Sequence, residues 1–218
     1  MFSFPMPILA LVTITHIIGA SAQYGINTFA PFYQDELGLT RAQVGLFFTA
    51  FYIGMAGFSF TAGWLSDRLG VRKASFIGHV FAGMAIFIAS SAQSFGWAFA
   101  CFLLTGLGYS FLNPASTKGV LMWFRRQRAT AMGIKQTGVP AGGVLTALVG
   151  APLAAVYGWR ATLAGMGAVN VVFGVAFWFL WREPRESDEG NAPGSGTAGV
   201  PALPIRSLLA LSCGTALL

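Results

Sequence analysis

Two lysines, Lys118 and Lys135, stand inside long apolar runs of this chain, where a charge is costly enough to need a reason. Lys135 lies in "AMGIKQTGVPAGG", seven residues past Arg128, so on a helix it sits about 10 Å deeper than that arginine. Such an ammonium either lines a polar cavity or snorkels back to the interface. All seven acids (Asp35, Glu36, Asp67, Glu183, Glu186, Asp188 and Glu189) lie outside the apolar runs or at their ends. A buried ammonium without an acid partner favours an anionic ligand. Gly142 and Thr146 share the Lys135 face at helical spacing, and the adjacent Gln136 is polar. Lys118 points roughly opposite to Asn113, so the two do not face one cavity, and snorkelling is the simpler account of Lys118.

Upstream, His16, Gln23 and Asn27 fall on one helical face at i, i+7 and i+11. They either line a cavity or make interhelical hydrogen bonds. His16 titrates in a range that permits proton transfer, but one histidine is too little for a relay; His79 reads as a packing residue. Tyr52 and Tyr109 fit a cavity wall or plain packing. Pro114, after Asn113, and Pro140 are expected to kink their helices and free carbonyls beside a cavity. The candidate solute-binding set is therefore Gln23, Asn27, Asn113, Lys135 and Gln136. No nucleophile–base pair or metal-ligand cluster appears in the runs, so neither an enzyme nor a cofactor or metal is expected, and Cys101 and Cys213 have no metal-like spacing.

These residues must be held by membrane helices. The chain is 55% hydrophobic and 9% charged, against about a quarter charged in a soluble domain. Six spans of bilayer length follow, at 8–30, 43–65, 73–92, 95–122, 129–152 and 160–181. The first is a transmembrane helix rather than a signal peptide: "ASAQ" at 20–23 imitates a cleavage site, but no basic n-region precedes it. The expected architecture is all-α, a polytopic six-helix transmembrane bundle over 1–182. Residues 183–204, rich in Gly, Pro, Ser and acids, read as a disordered linker, and 205–218 as the start of a seventh helix.

Charge sets the orientation. Arg68, Arg72, Lys73, Arg125, Arg126, Arg128, Arg182, Arg185 and Arg206 fall on one side, and only Arg41 and Arg160 on the other. The positive-inside rule places the first group, the N-terminus and the linker in the cytoplasm of a cell (inner) membrane. Topology thus explains the +6 net charge, and a nucleic-acid partner is excluded. The partners expected are the lipid bilayer and a small-molecule solute.

An offset of 88 residues aligns "GLFFTAFYIGMAGFSFTAGWLSDRLGVR" with "GIKQTGVPAGGVLTALVGAPLAAVYGWR". It pairs Gly45 with Gly133, Thr49 with Thr137, Gly54 with Gly142, Leu65 with Leu153, Gly70 with Gly158 and Arg72 with Arg160. The offset equals three spans, so the copies have inverted topology, a plan of secondary transporters with the solute site between repeats. Asp67, Arg68 and Lys73 match Ala155, Val156 and Ala161. The glycines and final arginine are thus architectural, and the remaining charges belong to the cytoplasmic copy.

The stretch "GWLSDRLGVRK" resembles the loop signature between the second and third helices of the major facilitator superfamily, through Gly63, Leu65, Asp67, Arg68, Gly70, Arg72 and Lys73. Six helices and a polar linker also resemble the N-terminal half of such a transporter. The resemblance implies alternating access, a missing C-terminal six-helix half as partner, and a gating role for Gly63, Asp67, Arg68, Gly70, Arg72 and Lys73. In the family the counterpart of Asp67 contacts a helix of the other half, where a helix N-terminus stabilises a carboxylate. "AMGIKQTGVPAGG" is similar to bacterial permeases for small anions and organic acids. One departure is Phe102, which stands where many proton-coupled members carry an arginine four residues before a Gly-x-Gly, here Gly106 and Gly108. The expected function is secondary transport of a small organic anion. The alternatives are efflux of amphipathic or sugar-like solutes, and a non-transporting membrane sensor or assembly subunit.

Overall fold

The computed structural model describes residues 6–124 and 127–182. The expectations placed on Arg125, Arg126, the 183–204 linker and the 205–218 segment lie outside these residues. The elements are α1 (Met6–Thr28), α2 (Ala30–Leu37), α3 (Arg41–Ala89), α4 (Phe95–Tyr109), α5 (Leu112–Trp123), α6 (Arg128–Leu145), a π turn (Thr146–Gly150), α7 (Ala151–Tyr157) and α8 (Trp159–Leu180). Five helical stretches are long and apolar enough to cross a membrane, and Gly70 divides the 49-residue α3 into two spans.

Local sequence starts and stops these helices. Thr40 and Gln43 form a reciprocal capping box at the start of α3, and the Ser94 hydroxyl accepts from the Trp97 N–H at the start of α4. The fourth span breaks at Ser110 and Phe111, because Pro114 has no N–H to give to the Ser110 carbonyl. The sequence also predicts a kink at Pro140. Pro140 lies inside α6, and the irregular backbone comes later, in the π turn. There the Thr146 hydroxyl donates to the Gly142 carbonyl at 2.8 Å and the Ser21 carbonyl at 3.2 Å, tying the turn to α1.

The inverted repeat is visible in the backbone. Gly70 has φ 79° and ψ 168°, and Gly158 has φ 82° and ψ 151°. Only glycine adopts this region without strain. The sequence leaves residues 66–72 as the second-to-third connection. The structure shrinks it to Gly70, so Gly63, Asp67 and Arg68 are helical. At the ends of the bundle the two arginines that follow these glycines act alike. Arg72 donates to the Trp181 carbonyl at 2.7 Å, the end of the sixth span, and Arg160 donates to the Ser90 carbonyl at 2.9 Å, the end of the third. Each repeat therefore caps the C-terminal carbonyls of the other, where helix dipoles favour cations.

The repeats also exchange helices. A Cβ on Gly54 would strike the Leu103 carbonyl of α4, and one on its repeat partner Gly142 would strike the Ile17 carbonyl of α1. Gly83 and Gly167 meet in the same way between the second half of α3 and α8. Small residues let membrane helices approach until backbones touch. Between the crossings lie two apolar clusters. Tyr33, Phe47, Phe102 and Trp159 pack at the Gly158 end, with Tyr33 edge-on to Trp159 at 4.8 Å. Val71, Phe124, Phe177 and Trp181 pack at the Gly70 end, with Phe177 stacked on Trp181 at 5.5 Å.

At the Gly158 end, Glu36 accepts from Arg160 Nε at 2.7 Å and from the Trp159 indole N–H at 2.5 Å. The Arg160 hydrogen bond holds the Glu36 carboxyl below its ordinary range, with Trp159 adding to it. A folded-state value below the unfolded one makes the bond stabilising above the ordinary carboxylate range, and that stabilisation is lost as pH falls through the lowered value. Glu36→Gln is expected to lower the melting temperature at neutral pH, with the difference from the native chain closing in acid. Gly158→Ala meets open space and tests backbone strain alone. It is expected to cost about 1–3 kcal/mol in chemical unfolding, and an unchanged midpoint would contradict the strain at this turn.

Candidate solute-binding site

Lys135 is 1% exposed, the most deeply buried charge among the described residues. Gly138, one turn on, lets α6 press against α1, where a Cβ would meet the Thr13 carbonyl at 2.6 Å. The Lys135 side chain is thereby directed to α5. Its ammonium donates to Thr117 Oγ1 at 2.8 Å, Asn113 Oδ1 at 3.1 Å and Ser116 Oγ at 3.3 Å. These three acceptors stand at i, i+3 and i+4, one face of a helix. All are neutral. The acids among the described residues, Asp35, Glu36 and Asp67, sit at the ends of the bundle, so the ammonium is hydrogen-bonded and none of these acids compensates its charge. Asn113 is exposed and Thr117 half-buried, which places the ammonium just beneath an accessible polar face.

Behind Lys135 the polar contacts continue into the bundle. His16, 2% exposed, bonds through Nε2 to Ser116 Oγ at 2.8 Å. The Ser116 hydroxyl donates to the Leu112 carbonyl at 2.6 Å. Deeper still, His79 bonds through Nδ1 to Asn170 Oδ1 at 3.2 Å, and Asn170 Nδ2 donates to the Met166 and Ile18 carbonyls.

Of the residues singled out from sequence, Lys135 and Asn113 come together directly. Gln23 is buried and donates to Tyr52 Oη at 2.9 Å, so it engages α3 while His16, on the same stripe, engages α5. Asn27 and Gln136 are exposed. Tyr109 is buried against Phe51, with ring centres 5.4 Å apart, and Phe102 is buried in the aromatic cluster. His79 is more than a packing residue, since it is hydrogen-bonded to Asn170. Sequence reasoning missed Ser116 and Thr117, although their spacing from Asn113 carried the signal. Two grooves of about 320 and 470 Å³ are almost wholly apolar, and Lys135 lines neither. They offer little to hold an anion.

The residues assigned to gating cluster at the Gly70 end. Lys118 donates to the Asp67 carbonyl at 2.9 Å and lies 3.6 Å from its carboxylate, which is 78% exposed. Snorkelling therefore carries Lys118 to the end of the second span. The Arg68 guanidinium lies 3.9 Å over the Trp64 ring, Arg72 is held on Trp181 as above, Lys73 is exposed, and Gly63 is half-buried.

Ser116→Ala removes the acceptor shared by His16 and Lys135. Leaving buried donors unpaired is expected to cost about 1–3 kcal/mol in an unfolding titration, with no loss from Thr117→Val at the more exposed edge beyond about 1 kcal/mol.

The sequence profile described as Major Facilitator Superfamily matches residues 10–217. The chain is 28% identical over 186 residues to the hexuronate transporter of Bacillus subtilis, a match covering 84% of this chain and 44% of that protein. It is 27% identical over 177 residues to the probable sulfoacetate transporter SauU of Cupriavidus necator, covering 81% and 41%. To the membrane sensor protein UhpC of Salmonella typhimurium it is 29% identical over 177 residues, covering 80% and 39%. The chain thus spans under half the length of these relatives. Among solved structures, a bacterial homolog of the human lysosomal transporter Spinster, inward-facing and unoccupied, superposes with a TM-score of 0.77 at 20% identity, over 91% of this chain and 47% of that one. With its six spans, inverted repeat and profile match, this integral membrane chain belongs to the major facilitator superfamily.

Proposed function

We propose that this chain forms the N-terminal half of a secondary transporter that moves a small organic anion by alternating access, with Lys135 as the group that binds the anion. The observation that carries the reading is the buried Lys135 ammonium, held by three neutral acceptors. In a low-dielectric interior an uncompensated cation attracts an anion strongly. Two relatives are a hexuronate transporter and a probable sulfoacetate transporter, and both solutes are small anions. Asn113, which already bonds Lys135, and the exposed Gln136 and Asn27 supply polar contacts of the kind that orient a solute. A second six-helix half completes the cavity, and Asp67 and its neighbours at the Gly70 end, placed in the cytoplasm by the positive-inside rule, gate it. The likeness to UhpC favours a second reading, a membrane sensor that binds a solute without moving it. Uptake into proteoliposomes separates the two.

Binding of glucuronate and of sulfoacetate to the full-length protein in lipid nanodiscs tests the role of Lys135. Lys135→Met keeps the apolar stem and removes the charge. It is expected to weaken binding of both by at least about tenfold, while a neutral hexose is unaffected. Unchanged affinity together with an unchanged preference for anions would overturn the assignment.

A further inference from the structure

The hydrogen-bond directions around Ser116 reveal a second site. The Ser116 hydroxyl has one proton, directed to the backbone of its own helix, where the Leu112 carbonyl lies at 2.6 Å and the Asn113 carbonyl at 3.1 Å. Its oxygen must then accept from both neighbours, from Lys135 Nζ at 3.3 Å and from His16 Nε2 at 2.8 Å. In the tautomer of His16 that fits this arrangement, Nε2 carries the N–H and Nδ1 a bare lone pair. That Nδ1 is buried and has no hydrogen-bond partner. Buried acceptors are nearly always paired, so an orphan inside a polar chain calls for a function.

We infer that His16 is a proton-accepting site linked through Ser116 to anion occupancy at Lys135, so that a proton from the medium is taken up on His16 Nδ1 as the anion binds. The inference rests on the reading of Lys135 as the anion site. The groups facing His16 explain why uptake waits for the anion. From α6 comes the Lys135 ammonium, and from α3 His79, hydrogen-bonded to Asn170 of α8. From α5 come Ser116, bonded to His16, and Asn113 and Thr117, which bond Lys135, all three neutral. The acids that follow α1 in the chain, Asp35 and Glu36, both lie on α2, with Glu36 engaged by Arg160 at the end of the bundle. Without an anion, Lys135 opposes a second positive charge nearby. An anion on Lys135 cancels that opposition, and linkage requires the proton to strengthen anion binding by the same factor. His79 also has an orphan nitrogen, Nε2, but its hydrogen bond leads to Asn170 rather than to Lys135.

The test is calorimetric titration of glucuronate into the full-length native protein in nanodiscs, in buffers of different ionisation enthalpy. Over about pH 5–8, net proton uptake approaching one per anion is expected wherever the pH lies above the point at which His16 protonates in the free protein and below that in the anion-bound protein, with affinity falling there by up to about tenfold per pH unit as pH rises. His16→Gln keeps an N–H donor for Ser116 and cannot titrate, so it should bind glucuronate without uptake and with pH-independent affinity in that window. His79→Asn should retain uptake. Imidazole ¹⁵N spectra of the native protein give a readout free of variants, with His16 Nδ1 shifting from unprotonated to protonated on saturation. Native binding without uptake would overturn the inference and leave the anion site standing. Uptake that persists in His16→Gln would also overturn it, by assigning the proton elsewhere, Lys135 included. Failure of glucuronate and sulfoacetate to bind at all would overturn both readings.

Discussion

Lipid offers no hydrogen bonds, so every polar group that a membrane bundle buries must find its partner inside the bundle. The fold of this chain follows from that constraint. Helices satisfy their own backbones, and their open carboxyl ends are met by arginines from the opposite repeat, Arg72 at Trp181 and Arg160 at Ser90. Glycine contacts bring the helices close enough for these links, with Gly54 against α4 and Gly142 against α1. The same constraint makes Lys135 informative. Its hydrogen bonds are satisfied by Asn113, Ser116 and Thr117, but its charge is not.

The two halves of the repeat keep their symmetry at the glycine turns and drop it in the charges around them. Gly70 and Gly158 share one unusual backbone conformation, and the arginine two residues later does the same work in each. Asp67 and Lys73 have only alanines opposite them in the second copy, and Lys118 pairs with Asp67 at the end that carries the extra charge. At the other end an acid reaches in from α2 instead, through Glu36 to Arg160. One end is therefore locked within the chain, while the Asp67 carboxylate stays exposed.

Much of this was legible in the sequence, for physical reasons. Span number follows from hydropathy and bilayer thickness, and the equivalence of Gly70 and Gly158 follows from an 88-residue offset. Positive φ leaves glycine as the residue that fits, so those identities survive in both copies. Helical phase likewise separated Lys118 from Asn113, as observed. The partners of Lys135 were harder to see. Ser116 and Thr117 lie within one turn of Asn113, but only the crossing of α5 and α6, set by Gly138 against α1, shows that all three meet the same ammonium. Crossing geometry also splits the stripe of the first helix, sending His16 to Ser116 and Gln23 to Tyr52. The π turn at Thr146–Gly150 had no signal in the sequence.

The central claim is that Lys135 is the cation that holds an anionic solute. Side-chain ¹⁵N lysine spectra of the full-length protein in nanodiscs, with Lys73, Lys118 and Lys135 assigned by single substitutions, give a direct view of it. Titration with glucuronate is predicted to shift the Lys135 amine resonance in a saturable way, with the same midpoint as the binding heat, while those of Lys73 and Lys118 stay in place. A binding heat accompanied by an unmoved Lys135 resonance would contradict the account.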